Sequence, residues 1–142
     1  MGRKLTVETS IKINARASKV WDALTKPELI KQYLFGTETK SDWKVGSPIT
    51  YKGVWEGKEY EDKGVIKKIQ RGKLLQSTYF SSFSGKEDKP ENYATVIYEL
   101  KEDGKGTLLN ISQDNIENED GIKHMKENWD MVLKKLKEVV ER

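Results

Sequence analysis

The side chains that most often move protons or attack electrophiles are nearly missing from this sequence. Histidine occurs once, as His124, and cysteine not at all. Disulfides, thiolate metal sites and thiol nucleophiles are therefore excluded. A general base needs a nucleophile on one side and an orienting acid on the other. His124 sits next to neither and lies off the apolar stripe of its helix, so it is expected to face solvent. One histidine is also too few for a histidine metal site. The carboxylate clusters Glu59-Tyr60-Glu61-Asp62 and Glu117-Asn118-Glu119-Asp120 lack the spaced oxygen ligands of a calcium loop. They read as solvated turn and helix-cap charges. The glycines stand singly in hairpins, so no loop cradles a phosphate. No metal and no cofactor are expected. Gln113, Asp62 and Glu56 are the nominees for a polar pair inside a pocket.

The elements that position these residues follow from periodicity. Leu5, Val7, Thr9, Ile11 and Ile13 alternate with polar residues, the period of a half-buried strand. Ser18 is the expected cap of a short helix carrying Val20, Trp21, Ala23 and Leu24. Pro27 opens a second short helix with Leu29, Ile30 and Tyr33 facing inward. From Thr37 to Asp114 the pattern is strands and tight turns. Strands are expected over Ile49–Trp55, Lys58–Ile69, Leu74–Phe80, Tyr93–Leu100 and Thr107–Gln113, with turns at Val45-Gly46, Glu56-Gly57, Gly72 and Gly104. Such meanders imply an antiparallel sheet. The stretch Ser81–Asn92 is the longest irregular connection. Asn118 then caps a long helix whose Ile122, Met125, Trp129, Val132, Leu133, Leu136, Val139 and Val140 form one apolar stripe over about six turns. Lys134, Lys135, Lys137 and Arg142 toward its C-terminus suit the helix dipole. A one-faced sheet and a one-striped helix bury each against the other. Trp129, central on the stripe, is expected to be buried between them.

The chain has 142 residues, 35% charged and 35% apolar, with a net charge of +3. That length suits one domain over 1–142. The basic residues are scattered among acidic ones, so no nucleic-acid stripe forms. No apolar run is long enough to span a membrane, and the N-terminal residues lead into a strand without an apolar leader. Cytoplasm is the expected location, as a monomer or weak dimer.

Strand, two short helices, six antiparallel strands and a long helix make the helix-grip order, an α+β fold in which a curved sheet wraps the C-terminal helix. Val20-Trp21-Asp22-Ala23-Leu24-Thr25-Lys26-Pro27-Glu28-Leu29-Ile30 resembles the opening signature of the activator-of-heat-shock-protein-ATPase-like family. That family belongs to the SRPBCC or START-like superfamily, which shares the Bet v 1-like fold. Gly64-Val65-Ile66, Leu74-Leu75 with Tyr79, Thr95–Leu100 and Thr107–Ile111 resemble its strands in order. Asn128-Trp129 with Leu133 and Leu136 resembles its closing helix. Tyr33 and Tyr79 stand where many relatives carry Trp. The resemblance implies a chaperone partner and a place in the stress response. Activators of this family work with a second domain, so ATPase stimulation by one domain is not implied.

Strand parity nominates the lining of the space between sheet and helix. Val96, Tyr98 and Leu100 share a face with Leu109, Ile111 and Gln113. Ile49, Tyr51, Gly53 and Trp55 share another, as do Leu75, Ser77 and Tyr79. The expected ligand-binding residues are Tyr51, Trp55, Ser77, Tyr79, Tyr98, Gln113, Met125 and Trp129. Gly53 and Ser77 interrupt the bulky residues where a filled core favours volume. The alternative is that the aromatics close the space entirely. Three functions follow: a non-catalytic binding domain for an apolar or aromatic small molecule, a chaperone-interacting protein, or a cyclase- or dehydratase-type enzyme of the kind found elsewhere in the superfamily.

Overall fold

The computed structural model describes residues 5–34, 36–82 and 85–142, with Trp55 described by its backbone alone. Strand β1, Leu5–Ile13, is followed by helices α1, Ala17–Thr25, and α2, Pro27–Tyr33. Strands β2 to β7 are Glu38–Ser41, Pro48–Trp55, Lys58–Gln70, Leu74–Tyr79, Ala94–Asp103 and Gly106–Ile116, and helix α3 is Glu119–Glu141. The strands form one antiparallel sheet in the order β1-β7-β6-β5-β4-β3-β2. The first strand thus pairs with the last and closes the meander. This is the helix-grip fold, and the period-two readings hold: Val7 and Ile13 are buried while Thr6, Glu8, Ser10 and Lys12 are exposed.

Some boundaries differ from the sequence reading. Helix α1 begins one residue before Ser18; Arg16 is its N-cap, and no side chain caps it. The helix instead draws its hold from packing, with Val20, Trp21, Ala23 and Leu24 all buried. Strand β5 stops at Tyr79, and Phe80 adds a lone bridge to Lys63. Strand β6 runs on to Asp103 because it pairs with β7 as far as Asp103↔Gly106, and β7 runs on to Ile116 because that residue pairs with Leu5 of β1. No basic residue stands in the last turn of α3.

The core lies where α1, α2 and the C-terminal half of α3 meet the sheet. Ile13, Val20, Ile30, Ile66, Leu109, Leu133 and Leu136 are each at most 2% exposed there. The Tyr33 hydroxyl donates to the Ala23 carbonyl at 2.8 Å and fixes the corner between the short helices. Helix α3 packs across β1 and against α1 and α2. Its stripe is continuous in sequence but unequal in burial. Leu133, Leu136, Val139 and Val140 are buried, whereas Ile122, Met125, Trp129 and Val132 are only half-buried. Among the described residues no helix is long and apolar enough to cross a membrane.

The start of α3 is held by Asn118, whose side chain accepts from the Gly121 amide at 2.8 Å. Asn118→Ala should lower stability by about 1 kcal/mol, the usual worth of such a cap. A urea titration showing no change would mean that water serves that amide equally well.

Candidate functional site

The half-buried end of α3 stands over an open space. A cavity of about 480 Å³ lies between it and the sheet. Met125, Asn128, Trp129 and Val132 form its roof, and β3 to β7 supply the floor through Tyr51, Val54, Tyr60, Asp62, Ser77, Tyr79, Val96, Tyr98 and Gln113. Leu34 and Thr37, between α2 and β2, and Ser81, after β5, complete the rim. The aromatics therefore do not close the grip.

Seven of the eight residues nominated from parity line this space: Tyr51, Ser77, Tyr79, Tyr98, Gln113, Met125 and Trp129. The Trp55 side chain lies outside the described residues. Trp129 is not buried as expected. Helix α3 departs from the floor along its N-terminal half, so the indole becomes a cavity wall. It still ties helix to sheet, its N–H donating to Gln113 Oε1 at 2.9 Å. Its ring meets Tyr98 edge-on, 6.0 Å between centroids. Tyr51 and Tyr79 make a second edge contact at 6.1 Å.

Gly53 is not the vacancy its sequence position suggests. It pairs with Tyr60 across β3 and β4, and a Cβ on it would stand 2.4 Å from the Tyr60 hydroxyl. The missing side chain admits the Tyr60 ring, whose hydroxyl bonds Thr37 Oγ1 at 2.5 Å. Residues 37 and 60 thus join the rim of the cavity to its floor. Sequence reading missed them. The signal was the parity of β4, which puts Tyr60, Asp62, Gly64 and Ile66 on one face.

Asp62 is 9% exposed. Its Oδ2 accepts from the Tyr79 hydroxyl at 2.6 Å. Its Oδ1 accepts from the Ser82 amide at 2.9 Å and the Ser82 hydroxyl at 3.2 Å. Glu56, the third polar nominee, is exposed in the β3–β4 turn, away from the cavity. Gln113 and Asp62 do line it, each already engaged by a wall residue. His124 is exposed on α3. Burial pushes the Tyr51, Tyr79 and Tyr98 phenols up, and at Tyr79 the bond to Asp62 adds to the effect. All three remain protonated at neutral pH, and Tyr79 donates to Asp62. Among the described residues no group of carboxylates and histidine is placed to hold a metal ion.

The chain is similar to several known proteins. The family model described as "Activator of Hsp90 ATPase homolog 1-like protein" matches residues 14–141. The solution structure of ChR145 from Cytophaga hutchinsonii is 46% identical, with 99% of this chain and 97% of that one covered and a TM-score of 0.87. The Aha1 dimer from Colwellia psychrerythraea is 20% identical, with 96% of each chain covered and a TM-score of 0.76. Ara h 8.0201 is 13% identical, with 96% and 97% covered and a TM-score of 0.77. The last two share the fold alone. No curated protein matches. The chain belongs to the Activator of Hsp90 ATPase homolog 1-like family.

Proposed function

We propose that this member of the Activator of Hsp90 ATPase homolog 1-like family binds an apolar or aromatic small molecule reversibly in the cavity beneath α3. The observation that carries the reading is the open space of about 480 Å³ walled by Tyr51, Tyr79, Tyr98 and Trp129. A filled helix grip would have no use for four aromatics around a void, since empty volume forfeits their dispersion contacts. A ligand recovers that loss. Burying its apolar area is worth about 25 cal/mol per Å² and offsets its lost freedom of motion. Among the described residues the Tyr51 and Tyr98 hydroxyls have no protein hydrogen-bond partner, so each is available to orient a ligand. Neither turnover nor a cofactor is part of this reading, and cytoplasm is its natural setting.

The test is an amide and indole NMR titration with naphthylmethanol, a neutral aromatic probe of fitting size. Resonances of Trp129, Tyr79 and Tyr98 should shift together and saturate. Ser77 is 3% exposed on the cavity floor, so Ser77→Phe should project a ring into the space and weaken the shifts in a variant that stays folded. No saturable shift at those residues in the unmodified protein would overturn the reading.

The family itself favours a second reading, contact with an Hsp90-type chaperone. Co-purification of the two proteins, and a chaperone ATPase assay with and without this chain, address it independently of the cavity.

A further inference from the structure

We propose that the cavity selects organic cations: apolar or aromatic molecules carrying a protonated amine. The inference rests on the cavity-binding reading above and deepens it. Its first support is charge. Asp62 is the single carboxylate among the cavity's described lining residues, and no Lys, Arg or His lines the space. Nor does any Lys or Arg among the described residues form an ion pair with Asp62. Its negative charge is met by neutral donors alone.

The second support is the unequal use of the two carboxylate oxygens. Oδ1 accepts both the amide and the hydroxyl of Ser82, which occupies its lone pairs. Oδ2 accepts one bond, from Tyr79, a residue that itself lines the cavity. The remaining acceptor capacity of the carboxylate is therefore on Oδ2. A ligand ammonium meeting Oδ2 gains a charge-assisted hydrogen bond. A ligand carboxylate meets like charge with no cation to compensate it.

The third support is the walls. Tyr51 and Tyr79 sit edge to face, and Tyr98 and Trp129 repeat the arrangement. Aromatic faces attract a desolvated cation through their quadrupole. A box of tyrosine and tryptophan around one carboxylate suits an ammonium with an aromatic body. It suits fatty or aromatic acids poorly.

Three probes sharing one ring system separate the possibilities: naphthylmethylamine, naphthylmethanol and naphthoate, each titrated by calorimetry and by the Trp129 indole resonance. The amine should bind about ten- to a hundredfold more tightly than the alcohol, the range expected for a hydrogen bond to a charged group. The naphthoate should bind more weakly than either. Asp62→Asn should erase the preference for the amine, read as the ratio of amine to alcohol affinity within that variant. Should that variant fail to fold, the ranking of the three probes on the unmodified protein decides alone. Equal affinity of alcohol and amine, or tighter naphthoate binding, overturns the selectivity and leaves the cavity reading standing. Failure of all three to bind overturns both.

Discussion

Leu136→Ala should be among the most destabilising truncations on α3, at about 3–4 kcal/mol. Leu136 is 1% exposed and belongs to the core that joins α3 to the sheet, α1 and α2. Deleting its branched end removes the transfer energy of the lost carbons and leaves a cavity that rigid neighbours cannot fill. Those neighbours come from separate elements, each fixed by its own hydrogen bonds, so collapse around the hole is resisted. Met125→Ala is the informative comparison. Met125 lies on the same stripe, about three turns earlier, yet it is half-buried over open space. Its truncation should cost no more than about 1 kcal/mol. Urea denaturation of the two variants measures the contrast. Equal losses would mean that the two halves of α3 are packed alike, and the cavity would then be closed in solution.

The second large effect is expected at Gly64. A Cβ built there would stand 1.7 Å from the Thr78 carbonyl oxygen and 2.6 Å from its carbon. Both are backbone atoms of β5, so no rotamer change relieves the clash. The neighbouring Val65 amide donates to Thr78 Oγ1 at 2.9 Å, and the pairing of β4 with β5 shifts register between Ile66 and Lys68. Gly64 is thus where two backbones approach more closely than a side chain allows. Gly64→Ala should force β4 from β5 and cost about 3 kcal/mol, the upper part of the range for overpacking. Gly53→Ala is the control. Its Cβ would meet only the outer end of the Tyr60 ring, which can swing aside, so the loss should be smaller and fall on the Thr37–Tyr60 bond. A thermal melt in which Gly64→Ala matches the unmodified protein would show that β4 and β5 separate freely.

These two positions mark how far the sequence reaches. Alternation in β1 and in β5 to β7 assigned Val7, Ser77, Val96, Tyr98, Ile111 and Gln113 to the inner face, where the structure has them. The three- and four-residue stripe of α3 and its Asn118 cap were equally legible. Both are local properties: a period of two or of 3.6 fixes which way a side chain points once the element forms. The Ser18 cap failed because capping residues express a preference that tertiary packing overrides.

What periodicity cannot express is distance between layers. A filled core and an open cavity use the same alternation of apolar and polar residues. The stripe of α3 reads the same from Ile122 to Val140, yet its apolar residues are fully buried only in the C-terminal half. Whether Trp129 is core or wall depends on how far the curved sheet stands from the other half. The same holds for pairs formed across the fold. Asp62 with Tyr79 and Ser82, Tyr60 with Gly53 and Thr37, and Gly64 with Thr78 join residues whose types say nothing of one another. The sequence by itself determined the elements other than the short strand β2, their order and their inward faces, because neighbours along the chain decide those. The cavity, its one carboxylate among the described lining residues and the close Gly64–Thr78 approach were decided by tertiary structure, because they depend on how separated elements come to rest.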